Sequence, residues 1–290
     1  MNAKDLFPRW TTANGQEFAC LELGHGPLVL CLHGFPDTAW SFVPLLRALA
    51  DAGYRAVAPF MRGYAPSSLA RDDDYRATTL ARDAVALIGA LGEERAFIVG
   101  HDWGAVTAYI AATLHPERVR GIVTAAVPHL RRFLLHPTPA QLYRSRYMGF
   151  FQLRGIAERR VMDDDFHWLR ALIHRWSPAW KFCEEDFAPL RAAFSDPARV
   201  RAALMYYRAL PATLASREGL SLLSRKLPVP ARVIRGADDG CIGAKMFERQ
   251  EYCFGAGYEL VTMKGAGHFM HCEKPEVFAA LALEFIERNS

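Results

Sequence analysis

Two hydrophobic rhythms divide the chain. Residues 10–23 alternate apolar and polar positions around Asn14-Gly15, a dipeptide suited to a tight turn, which predicts two antiparallel strands at the edge of a sheet. Leu28-Val29-Leu30-Cys31-Leu32 is instead a continuous apolar run, the pattern of a strand covered on both faces. Residues 40–52 repeat apolar positions at helical spacing, and Gly53 stops them. A strand follows at 55–58, a helix at 78–91, a strand at 96–99 that turns sharply into a helix from Gly104, and a strand at 121–127. This alternation predicts a mostly parallel, doubly wound α/β sheet.

From Pro128 to Leu227 the alternation stops, and the sequence is helical, arginine-rich and aromatic, with Trp168, Trp176 and Trp180 close together. Strands resume at 231–236 and 258–261, and a helix is expected at 275–288. The expectation is one core domain, 1–127 and 228–290, interrupted by a helical cap at 128–227.

Composition narrows the class of protein. A 51% hydrophobic and 23% charged chain of 290 residues is a folded globular protein. No apolar run is long enough to span a membrane, and residues 1–9 lack the apolar stretch of an export signal. Cys20, Cys31, Cys183, Cys241, Cys253 and Cys272 are scattered without paired spacing, which suits reduced thiols in the cytoplasm. A net charge of +4 points to neither nucleic acid nor an anionic membrane as partner. No glycine-rich phosphate loop suggests a nucleotide, so no cofactor is expected. His268, His271 and Cys272 lie together, yet no second cluster supplies further ligands, so no metal is expected either. The oligomeric state, homodimer included, is left open.

The chemistry centres on Gly100-His101-Asp102-Trp103-Gly104. Small residues two before and two after a central side chain let a strand and a helix approach closely while that side chain is held out over the sheet. A carboxylate in this place suits attack on saturated carbon, because the resulting alkyl ester can be cleaved by water whereas a serine would be left as an ether. His33-Gly34-Phe35-Pro36 after the third strand, with this Gly-His-Asp-Trp-Gly turn, resembles the epoxide hydrolase and haloalkane dehalogenase branch of the α/β-hydrolase fold. The resemblance implies Asp102 as nucleophile, with the Phe35 and Trp103 backbone N–H groups as its oxyanion hole. It also implies an acid and a base further along. Gly236-Ala237-Asp238-Asp239 matches the acid motif at Asp239, with Asp238 as the fallback, and Gly265-Ala266-Gly267-His268-Phe269 matches the base motif at His268.

Substrate class turns on the leaving group: an opened epoxide needs proton donors beside its oxygen, a departing halide does not. Tyr147-Met148-Gly149-Phe150-Phe151-Gln152 and Met205-Tyr206-Tyr207-Arg208 resemble the two cap segments that supply such donors in epoxide hydrolases, and they nominate Tyr147 and Tyr207. Tyr143 and Tyr206 are expected to pack or bind nearby. His33 and Pro36 are expected to line the substrate, although His33 is also suited to holding its turn. The resemblance thus implies a detoxifying epoxide hydrolase acting on a small hydrophobic epoxide and water. A haloalkane dehalogenase with the same triad is the alternative, and a non-catalytic ligand-binding protein the third reading. Phe35 stands where haloalkane dehalogenases usually carry Asn or Glu.

Overall fold

A computed structural model describes residues 6–290, so the reading of residues 1–9 falls largely outside it. Eight strands form one sheet: β1 (Arg9–Ala13), β2 (Gln16–Leu23), β3 (Leu28–Leu32), β4 (Arg55–Pro59), β5 (Ala96–His101), β6 (Val119–Ala125), β7 (Ala231–Gly236) and β8 (Tyr258–Met263). Their spatial order is β1-β2-β4-β3-β5-β6-β7-β8. From β4 to β8 across that order the strands run parallel, while β2 is antiparallel to both β1 and β4. One expectation is corrected here: β2 is not an edge strand, because its second side pairs with β4.

The apolar run of β3 is explained by its two covered faces. Leu28, Leu30 and Leu32 enter one core and Val29 and Cys31 the other, as alternating strand side chains must. Helices α1 (Val43–Asp51), α2 (Ala77–Ala90) and α3 (Trp103–Leu114) follow β3, β4 and β5. Proline at the first turn of α1 and Gly53 at φ +85° just past its end mark its limits.

Between β6 and β7 the chain adds no strand to the sheet. It passes through α4 (Leu130–Leu135), α5 (Pro139–Arg144), α6 (Arg146–Phe150), α7 (Ile156–Trp176), α8 (Glu184–Ala193), α9 (Pro197–Arg208), α10 (Leu210–Ala215) and α11 (Arg217–Ser224). The chain returns through β7 and β8 to α12 (Met270–Glu273) and α13 (Pro275–Arg288), which packs on α1. No helix among the described residues is long and apolar enough to cross a membrane.

Candidate active site

Asp102 stands between β5 and α3 with φ 49° and ψ −115°, a backbone conformation that a non-glycine residue adopts only when its surroundings enforce it. Two glycines make the turn possible. A Cβ on Gly104 would lie 1.9 Å from the Leu32 carbonyl oxygen, and one on Gly34 would lie 2.4 Å from the Asp102 Cβ. Because Gly34 has no side chain, the β3 loop reaches Asp102, and the Phe35 N–H donates to Asp102 Oδ1 at 2.8 Å. Trp103 is the first residue of α3, so its N–H has no acceptor within the helix.

Asp102 Oδ2 lies 3.6 Å from His268 Nε2, and His268 Nδ1 lies 3.0 Å from Asp239 Oδ2. The other oxygen of Asp239 accepts the N–H groups of Cys241 at 2.6 Å and Ile242 at 2.9 Å, which fixes the carboxylate after β7. Asp238, one residue earlier, is exposed. Burial opposes charge on His268, but Asp239 first and Asp102 second outweigh it and hold the imidazole at about 10. In the free protein His268 is therefore an imidazolium between two carboxylates.

The helical segment contributes to this arrangement directly. The Trp176 carbonyl, at the end of α7, accepts from both the Gly240 and His268 N–H groups and so ties the acid loop to the base loop. Its indole packs against the His268 ring with centroids 5.0 Å apart. Trp176 stood out in the sequence only as one of three neighbouring tryptophans. Nothing local marks its carbonyl as the shared acceptor.

A cavity of about 60 Å³ opens over Asp102 and is walled by Trp103, Tyr147, Tyr207, Leu130 and Ile242 among others. Tyr207 is buried, and its hydroxyl has no hydrogen-bond partner among the described residues. The Tyr147 hydroxyl is 3.7 Å from the Cys241 sulfur, and the two tyrosine rings are 5.8 Å apart. Burial, with added repulsion from Asp102, pushes both phenols well above their ordinary range, so both keep their protons.

Of the four residues named as substrate neighbours, Tyr143 and Pro36 lie elsewhere, while Tyr206 packs and His33 holds its turn, the other role expected of each. Tyr143 is 68% exposed beneath the Arg146 guanidinium, because it faces away from the buried Gln141 of the short α5 and the helix breaks at Ser145 before Tyr147. Tyr206 is buried, but its hydroxyl donates to the Arg62 carbonyl at 2.8 Å. Adjacent helix positions point about 100° apart: Tyr207 lines the cavity over Asp102, while Tyr206 packs on Trp103 from outside the lining. His33 uses both ring nitrogens: Nε2 accepts the Met61 N–H at 3.0 Å and Nδ1 donates to the Gly34 carbonyl at 3.0 Å. It holds its turn. Pro36 lines a different cavity, beside Asp37.

Comparison with known proteins agrees with the fold. The profile of the family described as alpha/beta hydrolase fold matches residues 27–275. Epoxide hydrolase A of Mycobacterium tuberculosis is 31% identical, the match covering 96% of each chain, and an AB hydrolase superfamily protein of Bacillus subtilis is 32% identical over 91% of each. Epoxide hydrolase A from Mycobacterium thermoresistibile superposes with a TM-score of 0.83 at 28% identity, covering 97% of this chain and 98% of that one. An epoxide hydrolase from Vigna radiata gives 0.83 at 26% identity over 99% of both. The chain belongs to the α/β-hydrolase fold family. Within that family it is an epoxide hydrolase-like protein.

Proposed function

We propose that the chain hydrolyses a small apolar epoxide to a vicinal diol through a covalent ester on Asp102. The observation that carries this reading is that two protonated tyrosines, the half-buried Tyr147 and the buried Tyr207, wall the same cavity as Asp102. Oδ2 of Asp102 attacks a ring carbon, and the C–O bond opens. The developing alkoxide takes hydrogen bonds, then a proton, from the tyrosine pair. Reprotonation of that pair draws on His268, which loses one of the two carboxylates holding its proton once Asp102 is an ester. Neutral His268 then takes a proton from water, whose hydroxide adds to the Asp102 carbonyl carbon. Oδ1, on the Phe35 N–H and beside the Trp103 N–H, carries the transient negative charge. On collapse the departing diol oxygen receives the remaining proton of that water, so Asp102 is again a carboxylate and His268 an imidazolium.

Residues 128–227 act as the cap that supplies the tyrosines, and 1–127 with 228–290 as the core that supplies the triad. We assign the protein to the cytoplasm, on its scattered, unpaired cysteines. A single turnover in ¹⁸O water tests the mechanism: the diol is expected to stay unlabelled and the label to enter Asp102. Label in the first-turnover diol would show direct attack by water. Halide release from 1-haloalkanes without any turnover of aryl or aliphatic epoxides would replace the substrate class.

A further inference from the structure

Next to His268, a second cluster gathers residues from three separate segments. Asp37 follows β3, His101 ends β5 and His271 lies in α12, and one ligand-capable atom from each falls within 4.8 Å of the others. We propose that Asp37, His101 and His271 form a binding site for a divalent transition-metal ion of the zinc type. The inference goes beyond the hydrolase reading and does not depend on it.

The argument starts at His101, which is fully buried. Its Nε2 is 3.0 Å from the His268 carbonyl oxygen, so that nitrogen carries the proton and Nδ1 carries a lone pair. Nδ1 has no hydrogen-bond partner and lies 3.9 Å from Asp37 Oδ2, another acceptor. A buried lone pair facing a carboxylate oxygen across such a gap is unfavourable unless something positive joins them.

His271 supplies the third ligand. Its Nε2 donates to Asp37 Oδ2 at 3.0 Å, but its buried Nδ1 has no partner. A metal ion at Nε2 would take the place of the proton that Nε2 shares with Asp37 Oδ2, exchanging one hydrogen bond for two metal–ligand bonds. Asp37 is itself held, Oδ1 by the Thr38 N–H at 2.7 Å and Oδ2 by the Ser41 hydroxyl at 2.8 Å, the kind of support that metal-ligating carboxylates have. Ligands on a tetrahedral ion with bonds near 2.1 Å sit about 3.4 Å apart. The observed 3.0 and 3.9 Å separations bracket that spacing. Two imidazoles and one carboxylate favour zinc, cobalt, nickel or copper over magnesium or calcium.

A groove adjoins the cluster at Asp37. Asp37 and Ser41 form the floor of a groove of about 190 Å³ whose walls include Glu185, Asp186, Trp180 and Phe269, with no Lys or Arg among the lining residues. Three carboxylates and no cation make the groove attractive to a positive ion. His33, close by, does not compete, since both of its ring nitrogens are used.

The test is titration of the full-length, metal-stripped protein with Co²⁺, read by visible absorption, followed by displacement with Zn²⁺ in a calorimeter. One Co²⁺ per chain is expected, with no thiolate-to-cobalt band. Affinity is expected to fall about tenfold or more in each of Asp37→Asn and His271→Gln, and to be unaffected by Cys272→Ser, Cys272 being the thiol on the groove wall. Circular dichroism checks that each variant is folded. The proposal is overturned by no binding up to millimolar metal, by unaltered, wild-type affinity in the two ligand variants, or by a thiolate band lost in Cys272→Ser.

Discussion

Two clusters of carboxylate and imidazole meet at the His268 peptide, and they hold opposite charge states for one reason. Around His268 there are two carboxylates to one ring, and the ring is held at about 10. Around Asp37 there are two rings to one carboxylate, and burial with the mutual repulsion of imidazoles drives His101 the other way. Burial penalises charge in both places. The local ratio of negative to positive partners decides whether that penalty is overcome. The first cluster consequently stores a proton, which acid–base chemistry can use, and the second stores a lone pair, which a cation can use.

Removing the ring from the first cluster gives the largest expected effect. In His268→Gln, alkylation of Asp102 is expected to proceed while ester hydrolysis slows by about two to four orders of magnitude. Intact-protein mass should then show an adduct of one substrate per chain. Normal turnover by this variant would remove His268 from the mechanism. The tyrosines come next: Tyr147→Phe with Tyr207→Phe is expected to slow alkylation by about 10²–10³-fold or more, and each single change by less, because the remaining hydroxyl covers part of the loss. Stopped-flow tryptophan fluorescence measures that step apart from hydrolysis. Wild-type alkylation rates in the double variant would leave the developing alkoxide without an identified donor and would favour halide as leaving group.

A pH profile sharpens the comparison further. In the free protein Asp239 and Asp102 outweigh burial and raise the His268 ring above the ordinary histidine range, to about 10. Once Asp102 is an ester, one of these charges is gone, so the ring's pKa must fall while burial still acts. Below that lowered pKa the ring is protonated and cannot accept a proton from water, so ester hydrolysis is expected to slow as pH falls and to reach half its plateau well below 10. The measurement is the single-turnover decay of the adduct against pH, with a chelator present, beside NMR titration of the free enzyme. Equal midpoints would mean that Asp102 contributes nothing to the raised value.

Much of this was legible before any coordinates, and the reason is locality. The apolar run Leu28–Leu32, the Gly100 and Gly104 spacing around Asp102 and the local motifs around Asp239 and His268 are each contained in a short window. Tyr143 misled because its exposure depends on where α5 stops, and the break at Ser145 undoes the four-residue spacing that would otherwise put it on one face with Tyr147. For Tyr206, packing and binding could not be told apart in the sequence because the Arg62 carbonyl that takes its hydroxyl lies in another part of the chain. Pro36 was assigned to the wrong cavity, since which wall a loop residue reaches depends on helices far off in sequence. The Asp37, His101 and His271 cluster was illegible for the same reason: its ligands are joined only when β3, β5 and α12 converge.

The smallest expected effect concerns the two aspartates that a motif alone could not separate with certainty. Asp238 and Asp239 are neighbours, yet one is exposed and the other is buried with both oxygens occupied, Oδ1 by the Cys241 and Ile242 N–H groups and Oδ2 by His268. Deleting the buried carboxylate leaves two backbone donors and an imidazole without their acceptor, so Asp239→Ala is expected to lower the free-enzyme pKa of His268 and slow ester hydrolysis. Asp238→Ala removes a side chain from the surface and leaves every one of those bonds in place. Surface changes of this kind stay within about 0.5 kcal/mol, so its stability and both rate constants should remain within roughly twofold of the unaltered protein. Thermal melts and single-turnover kinetics of the two variants in parallel decide the matter. Loss of hydrolysis in Asp238→Ala with retention in Asp239→Ala would mean that in solution the loop after β7 turns the other carboxylate toward His268, and the two-to-one ratio that holds the ring's proton would have to be rebuilt around Asp238.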